Sequence, residues 1–150
     1  MCIRDRTNSN DFVDNVAIGH RTLSGGSAHF AKSKCVAVGA SAGVRNNTKC
    51  VAVGANAALY IEGEGNVAIG MDAMNNYDVD GKNNICIGHL AKLHSKSTPA
   101  VIENSIAIGY NVETSDSNQI IIGSSSHTVV EIAGKRIIFN EDGSVTWEQV

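Results

Sequence analysis

Asn66-Val67-Ala68-Ile69-Gly70, near the middle of the chain, decides the fold, because six variants of the same phrase flank it. They are Asn15-Val16-Ala17-Ile18-Gly19, Cys35-Val36-Ala37-Val38-Gly39, Cys50-Val51-Ala52-Val53-Gly54, Asn84-Ile85-Cys86-Ile87-Gly88, Ser105-Ile106-Ala107-Ile108-Gly109 and Gln119-Ile120-Ile121-Ile122-Gly123. The closing glycines follow one another at 20, 15, 16, 18, 21 and 14 residues. Self-similarity at such a period is the signature of a solenoid. Within each phrase the β-branched pair sits two residues apart, so a strand sends both to one face and the small residue between them to the other. The glycine then opens a turn that a Cβ would hinder.

The shortest spacing, 14, corresponds to one coil of two short strands and two turns, and the longer ones to that coil with loop insertions. Seven coils stacked about 4.8 Å apart make a rod roughly 34 Å long. A small residue recurs three places after the glycine, at Ala42, Ala57, Ala73 and Ala91, with Thr22, Val112 and Ser126 as variants. This position is expected to start the returning strand. The valine and isoleucine files are expected to fill the interior, with Asn15, Asn66 and Asn84 in a polar file ahead of them. The alanine files would then form a flat apolar outer face, an association liability unless covered. Three copies packed about an axis would cover it, so a homotrimer is expected.

Composition agrees with a thin β structure. The chain has 150 residues, 43% hydrophobic and 18% charged, with only 5% aromatics, 15 glycines and one proline. This suits one domain of short β-branched rows and many tight turns. A net charge of −3, with no Lys/Arg cluster, gives no case for nucleic acid. No apolar stretch is long enough for a signal peptide or a membrane helix, so no membrane insertion is expected.

Three regions follow: a tail at 1–14, the β-roll at 15–127 and a C-terminal β cap at 128–150. Residues 1–6 fit no part of the repeat. In the cap, Val129-Val130-Glu131-Ile132 reads as a strand, Arg136-Ile137-Ile138-Phe139 as a second, and Asn140-Glu141-Asp142-Gly143 as a hairpin turn into a third. Trp147 is expected to cover the last open rung, since solenoids need an atypical end unit. The fold class is therefore all-β: a parallel β-roll or β-solenoid of about seven coils with a C-terminal antiparallel β-hairpin cap.

The phrase N-V-A-I-G followed by x-x-A, as at Asn66 to Ala73, resembles the head repeat of trimeric autotransporter adhesins (YadA-like heads), which also occurs in bacteriophage tail fibres. The resemblance spans roughly 15–126. It implies a left-handed parallel β-roll, a trimer and binding to host surfaces, whether to a glycan or a protein. The long insertions at 24–34 and 92–104, and the passage Ile120-Ile121-Ile122-Gly123-Ser124-Ser125-Ser126-His127-Thr128, favour the phage form. That reading makes the chain a non-catalytic structural and adhesive segment of a virion tail. The alternative is the head of a bacterial adhesin at the cell surface, and a third reading is a polysaccharide-degrading tailspike, which needs two carboxylates about 5 to 9.5 Å apart.

Chemistry-bearing residues give no constellation. His20 and His89 follow repeat glycines but belong to the first and fifth coils, about 19 Å apart and too far to share a metal. His29, His94 and His127 read as loop or cap residues. Cys2, Cys35, Cys50 and Cys86 lack CxxC spacing. Cys35 and Cys50 share one repeat position and would stack on neighbouring coils, where a disulfide is conceivable, but a small buried side chain is the favoured reading. Gly63-Glu64-Gly65 lacks the context of a phosphate loop, and no serine sits in a G-x-S-x-G turn. Asp78, Asp80, Glu62 and Glu64 read as loop solvation rather than a calcium site. Phe30, Tyr60, Tyr77 and Tyr110 lie in or beside loops, where they could stack on sugars or simply pack. Catalytic, cofactor and metal residues are therefore none, and no cofactor is expected.

Overall fold

The computed structural model describes residues 12–23, 32–43, 47–75, 79–94, 100–126, 129–132, 135–140 and 144–149. Among these, every regular element is a β-strand. The seven phrases form seven three-residue strands: Val16–Ile18, Val36–Val38, Val51–Val53, Val67–Ile69, Ile85–Ile87, Ile106–Ile108 and Ile120–Ile122. They make one parallel sheet in strict chain order. Register is kept at every step: Ala68 pairs with Ala52 on one side and Cys86 on the other. The chain is a parallel β-solenoid, as the phrase predicts.

A second set of strands stands just before the phrase and forms another wall of the coil. Phe12–Val13 pairs parallel with Lys32–Ser33, Asn47–Thr48 with Gly63–Glu64, and Val79–Lys82 with Ala100–Glu103. The expected return strand three residues after the glycine is not there in most rungs. Ala42, Ala57 and Ala73 lie in turns, and only Lys92–Leu93 and Glu113–Thr114 pair as a short ladder after the glycine.

The inside and the outside are exchanged relative to the sequence expectation. The central residues Ala17, Ala37, Ala52, Ala68, Cys86 and Ala107 are buried, whereas none of the fourteen β-branched residues that flank the phrase centres is. The cause is the thinness of the coil. After each glycine the chain doubles back at once, and a methyl built at Gly43 would lie 3.5 Å from the Cβ of Ala37. At that rung the gap sets a glycine against an alanine methyl, and on the last rung, where Ile121 takes the central position, that side chain is only partly buried. The alanines at 42, 57, 73 and 91 are buried in the same core. Larger side chains, Ile61, Met74, Leu93 and Ile102, are also fully buried.

Two backbone devices set the turns. Gly70 has φ +128°, and a Cβ there would meet the Gly88 carbonyl oxygen at 2.6 Å, so successive glycines stack with no space for a side chain. The residue one place before the phrase is left-handed in every rung, at Asp14, Lys34, Lys49, Gly65, Asn83, Asn104 and Asn118. Asn, Asp and Gly tolerate that conformation best.

The polar file is a buried ladder. The Asn66 side-chain oxygen accepts the Asn84 N–H at 3.0 Å, and the Asn84 oxygen accepts the Ser105 N–H at 2.9 Å. Their amide groups donate to the Gly81 and Ile102 carbonyls, both at 2.7 Å. Buried amides are tolerated because each is satisfied.

The C-terminal sheet is antiparallel, with strands Val129–Ile132, Lys135–Phe139 and Val145–Gln149. Arg136 faces Glu131 and Glu148 across it, at 3.4 and 3.9 Å. Residues 141–143 of the expected hairpin turn lie outside the described residues, but Asn140 N–H donates to the Ser144 carbonyl at 2.9 Å across it. Trp147 is 69% exposed, so it does not bury itself against the last rung as expected. It sits on an edge strand all of whose described side chains are exposed.

Candidate functional site

One coherent surface is the outer face of the seven-stranded sheet. Two files of Val and Ile run along it, one from Val16 to Ile120 and one from Ile18 to Ile122. With rungs about 4.8 Å apart and the files two residues apart, this stripe is about 29 Å long and roughly 7 Å between files. No residue in the seven strands carries a charge. Exposure is greatest on the last rung, at 68% for Ile120 and 64% for Ile122. Isolated apolar residues on a surface need no explanation, whereas this stripe is continuous and uncharged.

Beside the stripe runs the file that follows each glycine: His20, Ala40, Ala55, Met71, His89, Tyr110 and Ser124. Met71 and Tyr110 are exposed, and the His89 and Tyr110 rings are 5.5 Å apart at a tilt of 44°. Stacking in register brings these two rings together across adjacent rungs, which sequence reading did not link although both follow a repeat glycine.

A second feature is an open groove of about 400 Å³ on the other wall, lined by Glu62, Gly63, Asp80, Gly81, Lys82, Val101 and Glu103. Parallel pairing brings Glu62 beside Asp80 and Lys82 beside Glu103 on adjacent rungs. Glu62 and Asp80, expected only to solvate loops, thus share one groove. Glu64 instead pairs with Lys49, whose ammonium holds the Glu64 carboxyl below its ordinary pKa and whose own pKa the pair raises. Gly63–Glu64 is a strand, not a phosphate-binding loop.

Among the described residues no group of three His, Cys, Asp or Glu side chains is placed to hold a metal ion. His20 and His89 stand on separate rungs. His94 contacts Glu113 at 2.9 Å, and Lys92 lies 4.0 Å from the same carboxylate. Tyr60 is partly buried. His29, His127, Phe30, Tyr77 and Asp78 lie outside the described residues. No described helix is long and apolar enough to cross a membrane. Cys86 takes an alanine position, and burial pushes its thiol pKa up to about 12. A search of protein-family models, of curated proteins and of solved structures finds no match to this chain.

Proposed function

We propose that this chain is a structural and adhesive segment of a homotrimeric fibre, in the form found in phage tail fibres, with no catalytic role. One observation carries the reading: all fourteen flanking Val and Ile side chains of the repeat turn outward and leave an uncharged stripe along the roll. A stripe of that composition resembles the core of an obligate interface, which is apolar and poor in charge. Three copies sharing the stripe about a central axis bury it and give a rigid shaft.

Contact with a host glycan or protein then falls to the surfaces left outside: the His89–Tyr110 ridge and the loops inserted between rungs. The setting is a virion tail, and the alternative setting is the surface of a bacterium, as an adhesin head. The groove with Glu62, Asp80 and Glu103 is the observation that favours a polysaccharide-cleaving tailspike instead. That reading predicts shortened capsule or lipopolysaccharide chains after incubation with the purified protein, and unchanged chains remove it.

The test of assembly is mass in solution. Light scattering on the purified chain is expected to give about 47 kDa, three times 15.8 kDa. A stable species of one chain at micromolar concentration contradicts the proposal.

A further inference from the structure

We infer that Cys35 and Cys50 are a reversible disulfide site that staples two adjacent rungs of the roll. Each cysteine opens a phrase, and the strands that follow are in register, Val36 opposite Val51. The Val36 N–H donates to the Cys50 carbonyl at 2.9 Å, which sets the two cysteines one above the other. Rungs about 4.8 Å apart lie inside the 4.4 to 6.8 Å window of Cα separations that a disulfide spans. Both residues are buried, and the neighbouring Cys35 thiol raises the pKa of Cys50. The Cys50 thiol also donates to the Thr48 carbonyl at 3.0 Å.

The position explains what the bond replaces. In this file Asn15, Asn66 and Asn84 each tie their rung to the next by accepting its N–H, from Cys35, Asn84 and Ser105. The two cysteines present thiols at this position on consecutive rungs, and the Cys50 thiol also reaches the Gly63 carbonyl of the following rung at 3.8 Å. A disulfide would join these two rungs covalently. Cys86 is different: it sits in the alanine file, and its rung neighbours are Ala68 and Ala107.

The bond is switchable rather than permanent for a geometric reason. In-register parallel residues hold their Cβ atoms near the rung spacing, whereas a relaxed disulfide brings them to about 3.8 Å. Closure draws two rungs together, and such strain makes a disulfide easier to reduce. The chemistry balances with a low-molecular-weight disulfide such as oxidised glutathione. Two thiols lose two protons and two electrons to form the S–S bond, and the oxidant is released as two thiols. Burial and the neighbouring thiol raise the pKa of Cys50, so the attacking thiolate is scarce and exchange needs a transient opening of the rung.

The test uses the intact chain equilibrated with oxidised glutathione in sub-denaturing urea, then alkylated and digested with trypsin without reduction. Lys34, Arg45 and Lys49 place Cys35 and Cys50 on separate tryptic peptides. The expected product is those two peptides joined, with Cys86 recovered alkylated. Recovery of both peptides unlinked, or linked equally to Cys86 or to another chain, overturns the inference. A second readout needs no variant: oxidation is expected to raise the urea midpoint, and dithiothreitol to restore it. Closing a 15-residue loop lowers the unfolded fraction on the order of 100-fold before strain is subtracted. Equal midpoints for the oxidised and reduced chains overturn the staple even where the bond forms.

Discussion

Replacing Ala68 with Ile asks the roll to accept three more carbon atoms at a point with no accessible surface. Ala52 and Cys86 occupy the rungs on either side, and they are buried too. The space cannot widen on one rung alone, because both neighbouring strands are hydrogen-bonded in register. Overpacking a close-packed core costs about 1–3 kcal/mol, and three carbons against a wall of methyls put this case near the upper end, about 3 kcal/mol. For a domain of this size each kcal/mol shifts Tm by roughly 2–4 °C, so a fall of about 6–12 °C is expected. The assay is thermal unfolding followed by circular dichroism, with wild type and variant at one protein concentration because assembly makes Tm concentration-dependent. Were the Val and Ile files the interior instead, residue 68 would be on the surface and the same substitution would change stability by about 0.5 kcal/mol or less. A Tm within about 2 °C of wild type therefore refutes the assignment of faces.

Other substitutions probe other parts of the account. Gly70→Ala places a Cβ 2.6 Å from the Gly88 oxygen at φ +128° and is expected to destabilise by about 3–5 kcal/mol in urea unfolding. Asn84→Leu strands the Ser105 N–H and the Ile102 carbonyl in the core, which costs about 2–4 kcal/mol by the same measurement. Ser41→Gly removes a left-handed strain at φ +55° and is expected to stabilise by about 0.5 kcal/mol after the entropic cost of glycine, seen as a Tm rise of about 1–2 °C. Ile87→Asp puts a charge in the middle of the outer stripe and is expected to reduce the mass in light scattering to that of one chain while the β circular-dichroism signal remains.

The fold was legible because its unit repeats. A single Asn-Val-Ala-Ile-Gly is weak, but seven in sequence leave little besides stacked rungs, and the seven strands read from the phrases are those observed, although the return strand expected after the glycine is missing from most rungs. The polar file was also readable, from Asn15, Asn66 and Asn84 holding one phrase position, but the burial of Asn66 and Asn84 was not. Which face turns inward was not. Period two says only that Ala68 and Ile69 point opposite ways, and the usual rule buries the larger one. Here the narrowness of the coil overrides that rule, since Gly43 comes close against Ala37 and Ala52. The clue was present in the paired alanine positions, one at the phrase centre and one three residues beyond the glycine.

Other features had weaker signals. The left-handed residue before each phrase is Asp, Asn or Gly in five rungs, but Lys34 and Lys49 hide the pattern. Ile61, Met74, Leu93 and Ile102 lie between phrases, where no repeat announces them as core. The groove with Glu62, Asp80 and Glu103 brings together residues that only the register of neighbouring rungs makes adjacent. Trp147 was read as a lid because it is the one tryptophan beside an open end, yet its strand pairs with Lys135–Phe139 and leaves the ring outside.

A methyl NOE spectrum of the chain labelled at alanine tests the central claim most directly. The account predicts a ladder of contacts from Ala37 to Ala52 to Ala68, with the Gly43 α-protons close to the Ala37 and Ala52 methyls. An unbroken ladder whose methyls see no Gly43 protons, and are instead bleached by a soluble paramagnetic agent, contradicts it.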